Sequence, residues 1–242
     1  MALVHEFESS GYWLSKRKSW LPLFIVVPGI FLMYIGNRQA ILFDMRDELI
    51  FLGVSLVGEV IRIWATGFAS KNPIGQNGTP GQSPEVLDVT GINSIVRHPR
   101  YLGNFFIGLG PVLFLRSIWC IVGYGLLFWL FYERIMFAEE QVLRRKFGEA
   151  YDKWSQKTGS FVPYSLKVIR SKQAFSLRNV ISSENNNIFR IFTLFTLLDF
   201  FRNYFLRGKI RITGMWLYIF AGAFLVWVLF GFFYRQRGRN KK

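Results

Sequence analysis

The chain is poor in the residues that build metal and redox centres. It has one cysteine, Cys120, which excludes an internal disulfide framework and any cysteine-rich metal or iron–sulfur site. Its two histidines, His5 and His98, are too few for a multi-histidine centre, so no metal is expected. Charge is scarce too: charged residues make up 19% of the chain, below the ~25% of an ordinary soluble domain. Acidic residues are the rarer sign, 15 against 30 basic, leaving a net charge of +15. What the sequence has instead is apolar bulk: 51% of it is hydrophobic, with 26 Phe, 8 Trp and 10 Tyr. Much of this content lies in long runs, which a chain of 242 residues is too short to hide in one soluble core. An integral, multi-pass membrane protein follows. The basic excess then serves topology and anionic lipid headgroups. No nucleic-acid recognition motif is present, and neither nucleic acid nor a specific protein partner is expected.

The apolar runs divide the chain into three parts. Residues 1–48 hold an N-terminal segment without the pattern of a secretory signal and a first span from about Trp20 to Gly36. Residues 49–164 form a core. Its first span, about Leu49 to Ala69, carries Glu59 and Arg62, which stand three apart on one helix face and are expected to satisfy each other. From Tyr101 to Phe137 the chain is nearly continuously apolar, broken at Arg116-Ser117, and is too long for one span of ~20 residues. It reads as a helical hairpin whose first limb, holding Pro111, predicts a kink or an incomplete crossing. Residues 165–242 add a basic segment, a weaker stretch Ile188 to Phe201 that spans or lies at the interface, and a strong last span from Gly214 to Tyr234. Residues 70–84, rich in Gly, Pro and Asn, read as a surface loop, and Asn185-Asn186-Asn187 as a local polar break. The fold class is all-α: a polytopic membrane bundle of about five or six spans with a cytoplasmic-side helical cap at about 138–164. With six crossings and the N-terminus inside, inside segments hold 20 Lys and Arg and outside segments 7, which puts both ends of the hairpin in the cytoplasm. In a bacterium the membrane would be the inner one.

Polar signals gather at the two ends of the hairpin. The leading end reads Arg97-His98-Pro99-Arg100-Tyr101-Leu102-Gly103, and the trailing end carries Glu133, Arg134, Glu139 and Glu140. If both emerge on one side, these groups meet at the membrane surface and suit a zwitterionic, water-soluble ligand, while the apolar helices admit a lipid from the side. The plainer readings are interfacial anchoring for Arg97, His98 and Arg100, helix packing for Gly108 and Gly110, and pairing of Glu139-Glu140 with Arg144-Arg145 along one helix.

Taken in order, Arg97-His98-Pro99-x-Tyr101-Leu102-Gly103, Gly108-x-Gly110 and Glu139-Glu140-x-x-Leu143-x-x-x-Phe147-Gly148-x-x-Tyr151, ending near Pro163, resemble the membrane methyltransferase superfamily. That group includes isoprenylcysteine carboxyl methyltransferases and phospholipid N-methyltransferases, and the similarity covers about residues 50–164. The resemblance implies S-adenosyl-L-methionine as methyl donor, bound on the cytoplasmic side. It implies that Arg97, His98, Tyr101 and Gly103 form a loop around the cofactor, that Gly108 and Gly110 permit close approach, and that Glu139 and Glu140 meet its polar and cationic groups. Arg134, with Glu133 beside it, is the expected catalytic pair: the arginine orients an anionic acceptor, and a nearby glutamate assists if the acceptor is an amine.

The chain continues for about 80 residues past Pro163, where many compact relatives end, and Trp154 stands where many have a tyrosine. The expected reaction is O-methylation of an acidic group on a membrane lipid or lipidated substrate, with a lipid phosphate of the lipid A type set ahead of a carboxylate. The alternatives are a prenylcysteine carboxyl or phospholipid N-methyltransferase, an NADPH-dependent sterol-type reductase sharing the Arg-His-Pro-x-Tyr pattern, and a non-catalytic membrane scaffold.

Overall fold

A computed structural model describes residues 2–17, 27–31, 34, 44–69, 86–171, 173–208, 210 and 212–239. Among these the chain is helical, with two isolated β-bridges, Gly91 to Ile169 and Val96 to Gly159, and no strand. The expected loop at 70–84 lies outside the described residues, as does most of the expected span from Trp20 to Gly36.

Helix α1 (Ala2–Arg17) precedes α2 (Met45–Gly67), whose first turn carries Asp47 and Glu48 where the helix dipole favours acids. Helix α3 (Pro99–Phe114) starts with proline at a position where the missing N–H costs nothing. The turn after it uses Arg116 at φ 49°, and Ser117 caps the next helix by accepting from the Cys120 N–H. Helix α4 (Ile118–Phe147) completes the hairpin. It does not stop at Phe137 but runs on through the charged residues, and α5 (Glu149–Ser155) follows across Gly148 at φ 51°. At ~1.5 Å per residue α4 is about 45 Å long, more than the ~30 Å hydrocarbon thickness. An irregular segment then leads to α6 (Leu177–Arg207) and α7 (Gly214–Arg239).

Among the described residues, three helices are long and apolar enough to cross a membrane: α2, α4 and Gly214–Phe232 of α7. Helix α3, the first limb of the hairpin, has 16 residues and is about 24 Å long, shorter than the ~30 Å hydrocarbon thickness. Helix α6 does not meet the apolar criterion, and it is more than twice as long as the stretch from Ile188 to Phe201. The polar break at Asn185 to Asn187 does not end it because those side chains find partners: Asn185 donates to the Trp227 carbonyl (3.2 Å), Asn186 accepts from the Trp227 indole (2.8 Å), and Asn187 donates to Glu184 (2.8 Å).

Helix α2 packs closely along α3, and a Cβ on Gly58 would strike the Gly103 carbonyl while one on Gly110 would strike Ser55 and Phe51. Two apolar cores result. One joins α2, α3, α6 and α7 through Leu52, Phe114, Phe195 and Trp216; the other joins α3 and α4 through Tyr101, Tyr124, Phe128 and Tyr132. Helix α1 lies on the outer side of α4. Large apolar side chains stay exposed on α4 (Trp119, Leu126, Leu130) and along α7, which suits contact with lipid.

Candidate functional site

The site is built where the leading end of the hairpin is stitched to the segment after α5. Arg97 N–H donates to the Gly159 carbonyl (2.8 Å) and His98 N–H to the Ser160 carbonyl (3.1 Å). The Trp154 indole donates to the Asn93 carbonyl (3.0 Å), and Gly91, at φ 59°, donates to the Ile169 carbonyl (2.8 Å). These bonds hold residues 91–98 against Trp154 and residues 159–169, beside the last turns of α4.

Five of the expected residues meet there. The Arg97 guanidinium donates to Glu140 from Nε (3.0 Å) and Nη2 (3.3 Å), and its Nη1 is held by the carbonyls of Ser155 (2.6 Å) and Thr158 (2.9 Å). His98 Nε2 lies 3.0 Å from Glu140 and Nδ1 3.6 Å from Glu139. Tyr101 donates to Glu139, and its ring stacks on His98 at 5.6 Å. Ser160, which nothing in the sequence marked, donates to Glu140 at 3.0 Å. Burial disfavours charge on His98, but hydrogen bonds to Glu139 and Glu140 outweigh it and raise the imidazole above its ordinary pKa.

Beside this cluster opens a cleft of about 350 Å³, lined by Arg97, Glu140, Arg144, Tyr151, Asp152 and Gln156 among others. The Tyr151 hydroxyl is buried there with no hydrogen-bond partner of good geometry. Burial and the nearby Glu140 charge push its pKa upward, so it remains a donor.

Other expectations are corrected. Arg134 does not reach the cluster: its guanidinium lies 4.3 Å over the Phe7 ring and donates to Ser10 (3.1 Å), both on α1. The reason is helical period, since Arg134 is five and six residues from Glu139 and Glu140 and so points to the opposite face. Glu133 is exposed on α4. The glycines meet protein rather than open space: Gly103 faces Arg62 and Gly58, Gly108 faces the Tyr124 hydroxyl, and Gly110 faces Ser55. Each of these glycines lies where protein packs closely against it. Arg144 pairs with Asp152 (3.1 Å) and Arg145 with Glu8, not with the glutamates of their own helix. Arg62 does not satisfy Glu59 but pairs with Glu184 on α6 (2.7 Å), and both Glu59 oxygens are buried without a partner.

Comparison with known proteins supports the resemblance over the same part of the chain. Residues 51–145 match the isoprenylcysteine carboxyl methyltransferase (ICMT) family. The protein-S-isoprenylcysteine O-methyltransferase of Tribolium castaneum is 32% identical over 113 residues, 47% of this chain and 40% of that protein. Its Xenopus laevis counterpart is 34% identical over 111 residues, 45% of this chain and 38% of that protein. The chain therefore aligns with about two fifths of these relatives. A nickel-cobalt-cadmium resistance protein of Alcaligenes xylosoxydans xylosoxydans is 31% identical over 126 residues, 51% of this chain and 52% of that protein. No solved structure matches at comparable significance.

Proposed function

Because residues 51–145 match the isoprenylcysteine carboxyl methyltransferase family, we propose that the chain is an integral membrane O-methyltransferase. Its methyl donor is S-adenosyl-L-methionine and its acceptor the carboxylate of a prenylated cysteine. The observation that carries this reading is the meeting of Arg97, His98 and Tyr101 with Glu139 and Glu140 across the hairpin. The names of the relatives favour a prenylcysteine carboxylate over the lipid A phosphate that the sequence put first.

The residues present suit such a donor. A cleft of about 350 Å³ falls at the small end of the ~300–1,000 Å³ range of ligand pockets. Its lining offers carboxylates (Glu140, Asp152) for an ammonium and hydroxyls, guanidinium groups (Arg97, Arg144) for a carboxylate, and the buried Tyr151 hydroxyl beside Glu140. When bound, S-adenosylmethionine supplies an electrophilic methyl group on a sulfonium. The chain's own work is to hold and align. Arg97 and His98 fix Glu140, Tyr101 fixes Glu139, and the rings of Phe105, Phe128 and Phe161, 5.1–5.9 Å apart, keep water from the neighbouring interior. An ionised carboxylate acceptor needs no general base, so no residue has to take a proton. The exposed apolar faces of α4 and α7 let a prenyl chain approach through the bilayer, and the exposed Arg144, Arg145, Lys146 and Lys153 suit anionic headgroups at the cytoplasmic surface.

The test is methyl transfer by the purified protein in lipid nanodiscs, from labelled S-adenosylmethionine to N-acetyl-S-farnesylcysteine, lipid A and phosphatidylethanolamine side by side. Label on the prenylcysteine, released by base as methanol, is the expected result. Label on lipid phosphate or on amine nitrogen, with none on the prenylcysteine, would falsify the acceptor assignment.

A further inference from the structure

Helix α6 lies beyond the segment shared with the family, yet it reaches Arg62 in the core through the buried carboxylate of Glu184. Glu184, 1% exposed, accepts from Arg62 Nε (2.9 Å) and Nη2 (2.7 Å), Thr66 (2.8 Å) and Asn187 (2.8 Å). The other arm of Arg62, Nη1, donates to Asn104 Oδ1. A guanidinium has no acceptor, so the Asn104 amide can face it only with its oxygen, and its NH2 must point away. That NH2 donates to the Tyr132 hydroxyl oxygen at 3.0 Å. A phenol that accepts on one side still has a proton to give on another, and among the described residues no acceptor takes it. The Tyr132 ring lies 4.8 Å from that of Tyr101, whose hydroxyl meets Glu139. A series of one-way hydrogen bonds thus begins on α6 and ends beside the cluster.

We propose that Tyr132 is the hydroxyl that orients the methyl acceptor, and that Glu184, Arg62 and Asn104 are positioning residues that fix the direction of its proton. The proposal rests on the carboxylate-methylating reading above. A neutral phenol fits the task, because it holds one carboxylate oxygen without cancelling the charge that makes the other a nucleophile. Transfer forms one oxygen–carbon bond and breaks one carbon–sulfur bond, whose electron pair stays on sulfur. No proton moves, and Tyr132 keeps its hydrogen throughout. The helix outside the family segment would then be part of the site.

Asn104→Asp reverses the series without changing its shape. The aspartate still accepts from Arg62 but cannot donate, so it draws the Tyr132 proton back toward itself. Kinetics use the full chain in nanodiscs with N-acetyl-S-farnesylcysteine, and donor binding is followed with S-adenosylhomocysteine. Asn104→Asp and Tyr132→Phe are each expected to lower kcat/KM for the acceptor by about tenfold or more while Kd for S-adenosylhomocysteine stays within about twofold. The double substitution should be no worse than either alone. If the network only holds the helices together, Asn104→Asp should melt at or above the wild type and show wild-type kinetics. That result overturns the proposal, as do additive losses in the double variant or a parallel loss of donor affinity. If Asn104→Asp does not fold, Tyr132→Phe, which removes one oxygen, decides by the same split between acceptor kinetics and donor affinity. A wild type that binds S-adenosylhomocysteine but methylates no prenylcysteine overturns the underlying reading, and the proposal with it.

Discussion

Glu140 takes hydrogen bonds from Arg97, His98 and Ser160, which makes it the residue on which the geometry of the site turns. Glu140→Gln keeps the shape but removes the charge that both cations face. S-adenosylhomocysteine binding, measured by calorimetry, should weaken by at least about tenfold, ~1.4 kcal/mol, in a bundle that still folds. His98 brings pH into the account. Its folded-state pKa is raised, so its stabilisation is complete below the unfolded value of about 6.5 and is lost as pH rises through the folded value. The melting temperature should fall on going from about pH 6 to pH 9, and His98→Asn should flatten that slope. Arg97, His98, Tyr101, Glu139 and Glu140 were legible because charged groups at the ends of a hairpin have few places to go but to each other. Arg134 faces α1 instead, because five and six residues of helix turn it away from Glu139 and Glu140. Ser160 and Glu184 left no signal, since each reaches its partner from a distant part of the chain.

At the scale of elements, the seam between α2 and α3 is a close glycine-lined contact. Gly58→Val and Gly110→Val would each push a side chain into the facing helix, where overpacking costs ~1–3 kcal/mol. Both should lower the melting temperature in detergent. Gly123→Val on α4, with nothing within 4 Å of the added Cβ, should leave it unchanged. A drop for Gly123→Val equal to the others would show that the glycines matter for something besides this seam. Hydropathy alone located α7, whose apolar run is unbroken, and α2, whose run is interrupted only by Glu59 and Arg62. It undersized α6, where the asparagines that interrupt the run are bonded to Trp227 and Glu184, and it ended α4 ten residues early, because charge on a helix projecting past the hydrocarbon looks like a boundary.

For the whole molecule, the hairpin brings its two ends to one side of the membrane. In a Cys120→Ala background, Val86→Cys and Glu149→Cys, both exposed positions, should react with an impermeant maleimide from the same face. Labelling from opposite faces would break the hairpin. The all-α membrane class was plain from composition and apolar runs. The number of crossings was not, because α3 is too short and α6 too polar to be counted by hydropathy. The central claim is that this side carries a methyl-donor site, and calorimetry on the purified full chain in nanodiscs tests it most directly. The account predicts saturable binding of S-adenosylhomocysteine that Glu140→Gln weakens, and none of NADPH. Binding of NADPH without S-adenosylhomocysteine, or equal binding by wild type and Glu140→Gln, would contradict it.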